Sequence, residues 1–161
     1  MDRRANTQII KCLRERFDKG DMTDTSDRLD LVYGYGSVGQ ALLHSVLFVP
    51  GFVEIEGEVF LDELRIGDGN DAKLAEEVRA LRHDRQALDR MVQSYNWIEV
   101  AYQFRDRSCT DDEEVLLAEL MAEAWRARLE HLFPDRRFVV RLIDPAETGS
   151  IIGLGFEEVR G

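Results

Sequence analysis

Three glycines at Gly34, Gly36 and Gly39 spell G-x-G-x-x-G within "LDLVYGYGSVGQALLHSVLF". After a strand and before a helix, such glycines let the backbone approach a pyrophosphate, and the helix N-terminus offers it positive charge. An acid about 20 residues on would take a ribose hydroxyl, and Glu54 and Glu56 stand near that range. A nucleotide-binding enzyme (NAD, NADP, FAD or S-adenosylmethionine) built on the GYGSVG turn at 34–39 is therefore one reading. Against it, the strand expected to carry the acids alternates between apolar and charged residues, whereas a strand covered on both faces reads as continuously apolar. The chain behind it also lacks regular strand–helix alternation. A bend before an apolar helix is the alternative use of these glycines.

The second group is the acidic segment. Glu54, Glu56, Glu58, Asp62, Glu63, Asp68 and Asp71 face Arg65 alone, a net of −6 between positions 54 and 71. Glu54, Glu56 and Glu58 fall on one face of a strand, with Val53, Ile55, Val59 and Leu61 on the other. Same-face residues about 7 Å apart need help from other segments to hold Mg²⁺ or Ca²⁺, and "GDGND" misses the EF-hand acid because Arg79 stands at its twelfth position. No metal or other cofactor is expected. A docking face for a basic protein partner, formed by Glu54, Glu56, Glu58, Asp62 and Glu63, is the reading adopted. Charge reversal at Glu54, Glu56 and Glu58 is then expected to abolish capture and leave the fold intact.

Other chemistry is thinly represented. His44 sits on an otherwise apolar helix and reads as a hydrogen-bonded core or rim histidine; His83 and His131 stand among charges. No H-x-x-x-H, H-E-x-x-H or G-x-S-x-G occurs, and no catalytic residue is assigned. Cys12 and Cys109 form no C-x-x-C, which suits reduced structural thiols in a cytoplasmic protein. The net charge of −11 over 161 residues opposes nucleic acid and anionic membranes. No run reaches the roughly 18 apolar residues of a membrane span, and the charged N-terminus does not read as a secretory signal.

The positioning elements follow from spacing. Ile9, Ile10, Leu13 and Phe17 predict a helix over 4–18, closed by Gly20. Residues 29–34 could be strand or helix. Ser37 caps a helix over 38–48, which Pro50-Gly51 ends; being apolar nearly all round, it is expected in the core. A strand over 52–61 follows. Asn70 to Phe133 contains neither glycine nor proline, which favours helix. Leu88, Val92, Tyr95 and Tyr102 carry the helical spacing into 95–104, so helix is preferred there although "WIEVAYQF" alternates like a strand. Thr110 and Glu113 form a capping box for the helix that ends at Pro134. "RFVVRLI" and "IIGLGFEEV" read as an antiparallel hairpin over 137–159.

The result is one α+β domain over 1–161: a small antiparallel sheet, made of strand 52–61 and the C-terminal hairpin, covered by a block of helices. "YGYGSVGQALLHSVLFVPGFVEIEGEVF" and "AWRARLEHLFPDRRFVV" resemble small uncharacterised bacterial proteins over most of residues 27–143, a resemblance that implies no activity, cofactor or site. The reading is a small acidic, non-enzymatic binding module of the immunity-protein or adaptor type.

Overall fold

The computed structural model describes residues 9, 11–13, 16, 32–33, 35–62, 70–104, 109–149 and 152–160. They fall into two compact units, Met1–Ser45 and Val46–Gly161.

In the first unit Ile9, Lys11 to Leu13 and Arg16 are helical, as the apolar spacing predicts. Val32, Tyr33 and Tyr35 are helical as well, and the Gly36 amide donates to the Val32 carbonyl at 2.8 Å. Ser37 then caps helix α1, Val38–Phe48: its Oγ accepts from the Gln40 amide at 3.1 Å and its carbonyl from Ala41 at 3.0 Å.

The second unit carries β1 (Phe52–Ile55), β2 (Glu58–Leu61), α2 (Asn70–Leu81), α3 (Arg85–Ser94), β3 (Trp97–Glu99), a 3-10 turn (Ala101–Gln103), α4 (Asp111–Leu132), β4 (Phe138–Ile143), α5 (Pro145–Thr148) and β5 (Gly153–Glu158). The architecture is α+β, with small antiparallel sheets of two and three strands, β1-β2 and β3-β5-β4. The C-terminal hairpin forms in the register Phe138 opposite Glu158 to Ile143 opposite Gly153.

Two expectations need correction. The strand over 52–61 is a hairpin, not one strand. Glu56 and Gly57 both take positive φ, 53° and 89°, a two-residue turn of the type that matches strand twist. Ile55 pairs with Glu58 and Phe52 with Leu61. The turn reverses the parity, so Val53 and Ile55 share a face with Phe60, while Val59 and Leu61 share the other with Phe52. Both faces of the hairpin pack: Ile55 and Phe60 join Leu74, Val78 and Leu88 of α2 and α3, and Val59 and Leu61 join the core around Trp125. The hairpin is thus a wall between two apolar clusters.

The second correction concerns 95–104, which is strand and 3-10 turn. Although the apolar spacing continues, α3 ends at Ser94, and Asn96 holds the chain beyond it. Its amide closes onto the Gln93 carbonyl, its side chain accepts from the Leu61 amide at 3.0 Å, and its Nδ2 donates to the Val59 carbonyl at 2.8 Å. Asn96 thereby ties the hairpin to β3, where Trp97 and Ile98, good strand formers, pair with Gly155 and Leu154.

Helix α4 crosses the three-stranded sheet. Its capping box forms as expected, and Ala118, Met121, Ala122, Trp125 and Leu129 are buried against Val140, Leu154 and Phe156. Trp125 donates its indole N–H to the Leu47 carbonyl at 2.7 Å, satisfying an end group of α1. Only Leu47 and Phe48 of α1 pack against this core. The core placement expected for α1 does not hold, since none of its residues is buried.

Candidate functional site

The hairpin turn sets the geometry of the glutamates. Because Glu56 occupies the turn, Glu54 and Glu58 project from opposite faces of β1-β2, and each acid meets its own arginines. Glu54 takes Arg136 Nη1 at 3.0 Å. Glu56 lies between Arg79 at 3.1 Å and Arg82 at 2.8 Å. The Arg79 hydrogen bond, helped by Arg82, holds the Glu56 carboxyl below its ordinary value. Glu58 is buried, with its carboxylate held by Arg85 (3.0 and 3.4 Å) and by Arg160 (3.1 and 2.5 Å). Asp62 is exposed, with its amide bonded to Gly51. Glu63 lies outside the described residues.

These pairs join into a network. Arg160 also reaches Glu158, and Glu158 receives Arg136 through Nε (2.7 Å) and Nη2 (2.6 Å). Arg136 Nη2 further donates to the Gly57 carbonyl, and its guanidinium lies 5.7 Å from the ring centroids of both Phe133 and Phe138. Burial pushes the Glu158 carboxyl up, but Arg136 and Arg160 outweigh it and hold it below its ordinary value. The Glu158 hydrogen bond raises the Arg136 guanidinium. Arg85, despite the opposing effect of burial, is raised by Asp89 and Glu58. Chemically the network is a clasp between the hairpin, α3 and the C-terminal strand. Glu54, Glu56 and Glu58 are each paired with arginines, and Glu54 and Glu58 lie on opposite faces of the hairpin.

Of the three glycines in the turn, Gly36 has a packing reason. Gly34 lies outside the described residues. A Cβ on Gly36 would stand 2.5 Å from the Val32 carbonyl oxygen, so the helical turn ahead of it demands glycine; Gly39 sits in the first turn of α1 with open space beside it. The residues described before Gly36 are helical, not the strand a dinucleotide turn requires. His44 is half-buried on α1 and has a partner. Among the described residues no group of three or more His, Cys, Asp or Glu side chains could hold a metal ion, and no helix is long and apolar enough to cross a membrane.

Among the described residues, α1 carries a run of exposed apolar side chains. Val38, Leu42 and Val46, spaced every four residues, are 78, 68 and 47% exposed, and Leu43 and Val49 extend the patch at 68 and 58%. Leu47 and Phe48, in the last turn, are the residues of the helix that pack against the core around Trp125. The helix carries no acid in its first turn and no base in its last. Its sequence signal was visible as an apolar run, but a run apolar on both sides does not say which side the core takes. Comparison with protein-family models, curated proteins and solved structures finds no significant match.

Proposed function

We propose that this chain is a non-enzymatic protein-binding module of the cytoplasm, in which α1 docks its outward apolar face into a groove on a basic partner protein. The observation that supports this most is the exposure of Val38, Leu42 and Val46 along α1, whose last turn is held by Leu47 and by the Trp125 indole. Contiguous apolar patches of this kind mark interaction sites, and residues at i, i+4 and i+8 are the anchors a helix presents to a groove. Each Val or Leu buried there contributes about 1.5–3 kcal/mol before the costs of association. The net charge of −11 attracts a basic partner and steers its approach. Neither Cys12 nor Cys109 is in a disulfide, which suits a reducing compartment.

The glutamates enter this proposal through the net charge and not as the docking face. Affinity capture from native lysate tests it, using the wild type, Leu42→Asp/Val46→Asp, and a Glu119→Lys control on α4. The expected result is a basic protein held by the wild type and the control and lost with the double variant, whose melting temperature stays unchanged. Capture unaffected by the double variant, or no retained protein, overturns the proposal.

A further inference from the structure

The outer face of the three-stranded sheet, away from α4, contains a trough. Cross-strand pairing sets Trp97, Gly155 and Arg141 in one row and Glu99, Gly153 and Ile143 in the next. The central strand therefore contributes no side chain in either row. A Cβ on Gly155 would lie 3.0 Å from the Asn96 carbonyl oxygen, 3.0 Å from Trp97 Cβ and 3.2 Å from Ile143 Cδ1, so these neighbours close directly over the glycine and the open space lies beyond them. The cavity above has a volume of about 350 Å³, with α3 at one side and α5 at the other.

The charges around it are balanced and partly uncommitted. Arg90 of α3 has no hydrogen bond or ion pair among the described residues. Arg141 meets Glu147 only at 3.4 to 3.5 Å, with both side chains about half exposed, a pair worth little in water. Glu157 accepts from Gln93 at 2.8 Å. An adjoining hollow of about 380 Å³ is lined by Glu58, Arg85, Glu158 and Arg160, whose charges satisfy one another, so it offers a ligand much less.

We infer that the trough binds a small aromatic zwitterion of the amino-acid class. The ring lies against Trp97, the carboxylate meets Arg90 and Arg141, and the ammonium meets Glu147 and Glu157. A purely anionic ligand would face the two acids without compensation, and a purely cationic one the two arginines. The volume is at the lower end of small-molecule sites, which fits a single ring with a short polar arm.

The test is an NMR titration with L-phenylalanine, phenylacetate and 2-phenylethylamine, read at the two tryptophan indole N–H signals. Trp125 is buried and bonded to Leu47, so it is the internal reference. L-Phenylalanine is expected to shift Trp97 and leave Trp125 in place, and the two single-charge probes to bind at least about tenfold more weakly. Arg90→Glu, at an exposed position, is expected to lower L-phenylalanine affinity by a similar factor with unchanged spectra elsewhere. No shift at Trp97, equal binding of the three probes, or binding indifferent to Arg90→Glu overturns the inference.

Discussion

Glu58 and Arg160, 102 residues apart in sequence, are joined by two hydrogen bonds of 3.1 and 2.5 Å, and Arg85 closes on the same carboxylate from α3. A buried acid between two arginines contributes to stability because removing one partner leaves charge uncompensated. Glu58→Lys places a third cation there and is expected to cost about 3–5 kcal/mol, a fall in melting temperature on the order of 10 °C. Thermal unfolding followed by circular dichroism checks it; a variant as stable as the wild type would contradict the clasp. Charge reversal here is thus a test of the fold, in contrast to the sequence-based expectation that it leaves the fold intact.

Asn96 is 1% exposed and serves two backbone groups of β2. Asn96→Ala leaves the Leu61 amide and the Val59 carbonyl without these partners, at about 2–4 kcal/mol. Urea unfolding is expected to show a lower midpoint with an unchanged slope; a midpoint equal to the wild type would contradict the bridging role.

Glu158 makes the clasp acid-labile. Its folded carboxyl lies below the ordinary value of 4.5 because Arg136 and Arg160 outweigh burial. A group shifted in this direction contributes fully above its unfolded pKa, and the contribution is lost as pH falls through the lowered folded value. The melting temperatures of the wild type and Glu158→Gln should differ at pH 7 and converge in acid. A gap that stays unchanged as the pH is taken well below the ordinary carboxyl value of 4.5 would contradict the linkage.

Gly36 serves the turn before α1. Gly36→Val is expected to destabilise that turn, because its Cβ would meet the Val32 carbonyl oxygen at 2.5 Å. Thermal shifts of the wild type with NAD, NADP, FAD and S-adenosylmethionine should be flat. A rise of about 5 °C with one of them, expected near 100 times its dissociation constant, would restore the nucleotide reading.

How far the chain could be read depended on whether the signal was local. The Thr110–Glu113 capping box, the Ser37 cap and the C-terminal hairpin were legible because each is set by residues a few positions apart. The hairpin at 52–61 was hidden because Ile55-Glu56-Gly57-Glu58 keeps apolar–charged alternation straight through the turn; only Gly57 marks it. Residues 97–99 read as helix because the spacing of Leu88, Val92 and Tyr95 carries on past Asn96, whose partners on β2 lie 35 and 37 positions away. The acidic segment was legible as charge but not as a surface. Arg79, Arg82, Arg85, Arg136 and Arg160, which pair with Glu54, Glu56 and Glu58, come from α2, the α2–α3 connection, α3, the α4–β4 connection and the chain beyond β5.

Site-specific photo-crosslinking is the most direct measurement of the proposed docking role. A photoreactive side chain at Leu42, on the outward face of α1, should yield a covalent adduct with a basic protein in lysate, and the adduct should diminish when Val46→Asp is added. The same group at Glu119 on α4 should give none. Absence of an adduct at Leu42, or adducts at both positions in equal yield, would contradict the assignment of α1 as the docking element.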